Sequence, residues 1–142
     1  MIVPDVNLLF YAYNSAAPEH GKAKAWWEDL VNSQRPVGLP WAVVFGFIRL
    51  STHRSVLATP LPPEVALRIV SSWTKNLSVR MVNPGSRHLE IATQLFRATG
   101  VGGNLTTDTH LAAIAIEYQA ELHSNDNDFA RFPGLRFRNP LS

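Results

Sequence analysis

The chain has no cysteine, which removes disulfides, thiolate catalysis and cysteine-type zinc sites at once. It also lacks any apolar run near the roughly 20 residues a membrane helix needs. Its first residues carry neither the basic region nor the long apolar region of a secretory leader. These absences make the cytoplasm the expected location and leave no membrane partner. Lysine is scarce too: of 13 cations in a chain of formal net charge +2, ten are arginine. Arginine's planar fork suits phosphate oxygens, so this choice leans toward an anionic partner, although solvated helix faces account for it equally well. No repeat or low-complexity tract interrupts the 142 residues, of which 46% are hydrophobic and 17% charged. One domain spanning residues 1–142 around one core is expected.

What is present is an alternation of short apolar segments with stretches of helical spacing. Met1–Val3, closed by Pro4, predicts a strand ending at about Asp5. A helix starts within Asn7–Tyr13, and "PEHGKAKAWWEDLVNS" places Ala23, Trp26, Trp27 and Leu30 at helical spacing. A strand over Val37–Leu39 precedes a helix opened by Pro40. Pro62 or Pro63 opens the next, with Ala66, Ile69, Val70 and Trp73 as its apolar side. A further strand fits residues 78–84. The helix after it has Ser86 and Glu90 near its start, Leu89, Ala92, Leu95 and Phe96 on its apolar face, and Gly100 as its stop. Beyond flexible glycines, an alanine-rich helix turns Leu111, Ile114 and Ala115 inward. "ELHS" predicts a strand, "NDNDFARF" a turn or short helix, and "LRFR" a terminal strand after a "PG" turn. Trp41, like the other three tryptophans, falls in a helical pattern where packing is the expected role. Strands alternating with helices imply parallel βαβ units covered on both faces.

In open parallel sheets ligands bind at the carboxyl ends of the strands, near the point where strand order reverses. Asp5 ends the first strand, Asp126 and Asp128 follow "ELHS", and Asp108 opens the helix leading into that strand. If those two strands are neighbours, the carboxylates converge. Clustered carboxylates raise one another's pKa and lose hydration, so they imply protonation, an arginine partner or a divalent metal. An all-oxygen set suits Mg²⁺ or Mn²⁺. Each acid also has a structural role available. Asp5 with Asn7 suits an Asx turn, Asp108 a helix N-terminus, and Asp126 or Asp128 an N-cap.

"IVPDVNLL", "NLTTDTHLAAIA" and "LHSNDNDF", in this order and spacing, resemble the PIN-domain nucleases, and more closely the VapC-type toxins of bacterial toxin–antitoxin pairs. The resemblance spans nearly the whole chain. It implies a three-layer α/β/α sandwich on a five-stranded parallel sheet, Mg²⁺- or Mn²⁺-dependent cleavage of RNA, a homodimer, and a small antitoxin as partner. By position it assigns Asp5, Asp108 and Asp126 as catalytic metal ligands, with Asp128 as a neighbouring candidate. Asn7, Ser124 and Asn104 are supporting polar groups, and Arg49 either steadies phosphate or forms a structural ion pair. His53 and Arg54 are RNA contacts or loop polar residues. The family usually carries a glutamate three residues before that arginine; here the position is Gly46, which suggests close packing or a local kink. A non-catalytic binding module of the same fold is the alternative that Gly46 favours. A haloacid-dehalogenase-like phosphatase is a third, weakened because Asn7 stands where that chemistry needs a second aspartate.

Overall fold

Prolines stand just ahead of three helices in the computed structural model, which describes all 142 residues. Pro4 closes β1 (Ile2–Pro4), and Asp5 then caps α1 (Val6–Ala12). Pro40 ends β2 (Val37–Pro40) and stands at the N-cap of α3 (Trp41–Ser51) with extended backbone, φ −68° and ψ 145°. Pro62 plays the same part before α4 (Pro63–Thr74). A ring that fixes φ and offers no N–H is tolerated at these positions, where the N–H would otherwise lack an intrahelical partner. The remaining elements are α2 (His20–Asn32), β3 (Val79–Val82), α5 (His88–Thr99), α6 (Thr106–Glu117), β4 (Glu121–His123) and β5 (Arg136–Arg138). Two 3-10 turns, Gly103–Leu105 and Asn127–Arg131, precede α6 and follow β4.

The five strands form one parallel sheet in the order β3-β2-β1-β4-β5, as the α/β/α reading requires. β1 and β4 pair in the register Ile2–Glu121, Val3–Leu122 and Pro4–His123. Right-handed crossovers then decide the layers. The chain steps outward from β1 to β2 to β3, which lays α1 to α4 on one face; α1 packs on α2 and α3, and α3 on α4. It next returns past β1 to β4, which places α5 against α6 on the opposite face. Strand order therefore reverses at β1, and the crevice opens between the carboxyl ends of β1 and β4.

The central strands are buried on both faces: Ile2, Val3, Val37, Leu39 and Leu122 are wholly inaccessible. Beneath α1 to α4, Phe47 and Trp73 meet edge to face at 4.8 Å, with Tyr13 and Trp27 against them. The Trp73 indole N–H is satisfied by the Tyr13 hydroxyl at 2.9 Å. At the end of α6, Gln119 takes φ +53° in a Schellman arrangement, with Gln119 N donating to Ile116 O and Ala120 N to Ala115 O. Gly100 stops α5 at φ +66°, as expected.

Two packing expectations are corrected. Leu89 is 77% exposed, because the apolar side of α5 is set by Ile91, Ala92 and Leu95 and leaves position 89 on the outside. Trp41 is 49% exposed and stands beside exposed Phe45 on the outer side of α3, whose buried face is Val43, Val44 and Phe47. Trp26 is half-buried. No helix is long and apolar enough to cross a membrane.

Candidate active site

Asp5 reaches the crevice because β1 ends there, and its backbone N–H donates to the carbonyl of His123 on β4 at 2.8 Å. One carboxylate oxygen accepts from Val6 N at 2.7 Å, which caps α1. The other accepts from the Ser124 hydroxyl at 2.7 Å. Ser124 is wholly buried, and its oxygen in turn accepts from Asp126 N at 2.9 Å and Asn7 Nδ2 at 3.3 Å. Asn7 Oδ1 accepts from Asn125 N at 3.4 Å. Asp126 caps the following 3-10 turn by accepting from Asp128 N at 2.9 Å. Capping and clustering thus coexist in the same two acids.

Asp108 lies in the first turn of α6, half-buried, and makes no hydrogen bond or ion pair. Burial pushes its carboxyl up to about 6, and the charges of Asp5, Asp126 and Asp128 push in the same direction. Burial also raises Asp5, against the lowering effect of its hydrogen bonds from Ser124 and Val6, with Asp126 adding to the rise. The rim is thus a negative field in which none of Asp5, Asp108 and Asp126 has an ion-pair partner.

Other candidates stand further out. Asp128 is exposed, with the Arg131 guanidinium 3.9 Å away. Asn104 is exposed in the 3-10 turn before α6 and bonds to none of the acids. Arg49 is exposed in the last turn of α3 and forms no ion pair, which removes its structural reading. His53 and Arg54 lie exposed just beyond α3, and His53 Nδ1 accepts from Ser55 N at 3.0 Å within that loop. Gly46 faces the start of α1: a Cβ there would sit 3.3 Å from Val6 Cγ2, the residue next to Asp5. Close packing, one of the two readings of that glycine, is what the structure contains.

One network escaped the sequence. Buried His123, the residue before Ser124, accepts at Nδ1 from the Trp26 indole at 3.0 Å. Its proton therefore sits on Nε2 and is donated to Glu121 at 2.6 Å. Burial lowers its pKa below the ordinary imidazole value, so the ring is neutral. The signal available in advance was the i, i+2 placement of Glu121 and His123 on one face of a strand.

The donor set of Asp5, Asp108 and Asp126 with nearby amide and hydroxyl oxygens has the chemistry of a hard divalent cation site. In the arrangement seen, no three histidine or acidic side chains stand close enough to share one ion. The fit lies in donor type and in the uncompensated field that raises Asp108.

The family model for the PIN domain matches residues 2–135. The chain belongs to the PIN-domain family. This PIN domain is 47% identical to Ribonuclease VapC33 of Mycobacterium tuberculosis over 99% of both chains. It is 36% identical to Ribonuclease VapC37 of the same organism, over 99% of this chain and 97% of that one. Among solved structures, the PIN domain is similar to VapBC2 from Rickettsia felis bound to a promoter DNA fragment, with TM-score 0.70, 19% identity and 98% of each chain covered. It is also similar to M. tuberculosis VapC20, a sarcin–ricin loop cleaving toxin, with TM-score 0.65, 18% identity, and 96% and 99% of the two chains covered.

Proposed function

We propose that this PIN domain is an endoribonuclease of the VapC type, the toxin of a toxin–antitoxin pair, dependent on Mg²⁺ or Mn²⁺. The observation that carries the reading is the gathering of Asp5, Asp108 and Asp126 at the reversal of strand order, in a chain 47% identical to a VapC ribonuclease. The likeness to VapBC assemblies supports a small antitoxin as partner, and a homodimer in the cytoplasm is the accompanying expectation.

Asp5, Asp108 and Asp126 would hold the ion, with Asp128 close enough to add to the field at Asp108. When bound, such an ion polarises a phosphoryl oxygen and acidifies a coordinated water, which is what hydrolysis of a phosphodiester requires. Ser124 acts as a positioning residue. Its single proton goes to Asp5, and its lone pairs hold Asp126 N and Asn7 in fixed relation to that acid. Arg49, exposed and unpaired, is available to a phosphate of the RNA. Gly46 favours a second reading, a binding module without catalysis. The retention of three aspartates at one rim weighs against it.

The deciding experiment is RNA cleavage by purified protein with Mg²⁺, compared with Asp5→Asn and Asp108→Asn. Each substitution is expected to lower the rate at least about hundredfold. Chelation should abolish cleavage, and added Mg²⁺ or Mn²⁺ should restore it. Equal cleavage by all three proteins would remove the catalytic reading.

A further inference from the structure

A second polar concavity lies between α2 and the edge strand β5. This cleft of about 470 Å³ is lined by Lys22, Trp26 and Asp29 on α2, by Arg35 just beyond it, and by His123 and Arg138 on β4 and β5. Lys22, Arg35 and Arg138 are exposed. The ion pairs of the chain are Lys24–Glu28, Arg87–Glu90, Arg131–Asp128 and the His123–Glu121 contact, so none of the three cations has a carboxylate partner. Among the residues lining the cleft, Asp29 is the one acid. Two of the cations also act on Glu121, the partner of His123: its carboxyl is held below the usual range first by its hydrogen bond with His123 and then also by Arg35 and Arg138.

Trp26 gives the cleft a second character. Its indole N–H is committed to His123 at 3.0 Å, and its ring lies 5.8 Å from Trp27 and 5.9 Å from the imidazole, between centroids. The polar edge is thus fixed inward, and the half-buried ring lines the cleft in one orientation. A held aromatic surface among unpaired cations is the pair of elements that single-stranded nucleic acid binding uses: stacking for a base and charge for the phosphates. An acidic peptide would need only the cations. Lys22 and Asn32, the last residue of α2, are separated by about 15 Å at helical rise, and Arg35 stands beyond that end, which leaves room for a few nucleotides. Lys22 Nζ donates to the Leu141 carbonyl at 3.5 Å, Leu141 N donates to Asn139 Oδ1 at 3.0 Å, and Asn139 Nδ2 donates to the Asn125 carbonyl at 3.4 Å and to Asn127 Oδ1 at 3.1 Å, so the Lys22 end of the cleft is linked to the loop that carries Asp126.

We propose that this cleft is a docking track for the single-stranded RNA flanking the cleaved position, with phosphates on Lys22, Arg35 and Arg138 and a base against Trp26. The choice of ligand rests on the ribonuclease reading above. The track extends that reading from the bond that is cut to the strand that leads to it.

The test measures anisotropy of a short fluorescein-labelled oligouridine on Asp5→Asn protein, which does not consume the probe, across a salt titration. Adding Lys22→Ala, Arg35→Ala and Arg138→Ala together should weaken binding at low salt at least about tenfold. It should also reduce the slope of log K against log salt by about 2, since each phosphate contact on a single strand contributes about 0.7. Asp29→Asn should strengthen binding. Arg97→Ala, which removes an exposed cation from α5 on the opposite face, is the control and should leave the slope unchanged. Lys22, Asp29, Arg35, Arg97 and Arg138 all lie at exposed positions, and a thermal melt of each variant confirms that it is folded. A triple variant indistinguishable from Arg97→Ala would overturn the track. So would an oligoglutamate peptide that holds these three cations more tightly than the RNA does. Cleavage by Asp5→Asn equal to the wild type, with the binding losses as expected, would remove the hydrolytic reading and support the track. Loss of cleavage in Asp5→Asn with unaltered binding by the triple variant would remove the track alone.

Discussion

Asp108 shows how a residue suited to hold a cation burdens the protein without one. Its carboxyl is raised to about 6 by burial and by Asp5, Asp126 and Asp128, whereas an unfolded aspartate titrates near about 3.9. Between those values the folded state keeps a proton that the unfolded chain has released. The contribution of this group to stability is therefore greatest at low pH and falls as pH rises through about 6. In thermal unfolding without metal, Asp108→Asn is expected to melt higher than the wild type at pH 8, with the difference shrinking toward pH 5. Mg²⁺ should raise the wild-type melting temperature more at pH 8 than at pH 5, because binding requires the deprotonated acid. Parallel melting curves for the two proteins across that range would contradict the reading. Asp5, Asp108 and Asp126 were legible in the sequence because each falls at an element end that the sequence itself marks. The Trp26–His123 bond was not, since it joins positions 97 apart through residue types that pack as readily as they bond.

At the scale of elements, α3 carries the main departure from the family's usual pattern. A glycine in a helix costs about 1 kcal/mol relative to alanine, so Gly46 has a reason to be there only if the space is taken. Val6 takes it, at 3.3 Å from where a Cβ would stand. Gly46→Ala should therefore be close to neutral in the wild type, as the gain in helix propensity is offset by the tight contact. In a Val6→Ala background the same change should stabilise by about 1 kcal/mol, and denaturant unfolding of the four proteins in a double-mutant cycle measures the coupling. Equal effects in both backgrounds would mean that Val6 is not what keeps position 46 small. Glycine at 46 was visible in the sequence, but its contact with α1 was not, because no local pattern states which face of α3 meets which residue of α1. The prolines, in contrast, mark the boundaries of β1, β2 and α4 directly. Leu89 and Trp41 are exposed where the helical pattern suggests packing, because periodicity reports that a helix has an apolar side and leaves its edges undefined.

At the scale of the molecule, the core is a single continuous set of buried side chains from β1 to Leu141, shared by both helical layers. One cooperative unit is the expected consequence. Tryptophan fluorescence, which samples the α1–α4 layer, and far-ultraviolet circular dichroism, which samples every helix, should give coincident unfolding transitions. Separated midpoints would show that the α5–α6 layer unfolds on its own. The alternation of strands and helices made the sheet legible as parallel. The convergence of the acids was conditional on β1 and β4 being neighbours, and the sheet pairs those two strands with Pro4 opposite His123. That pairing also bears on when activity can arise. Asp5 and Ser124 are 119 positions apart and meet through one hydroxyl proton, so the acid emerging among the first residues of a growing chain has no partner until synthesis is nearly finished. If these acids perform the hydrolysis, a chain interrupted before Asp126 is harmless to the cell that makes it, and the interval in which an inhibitor must be at hand begins only with completed molecules.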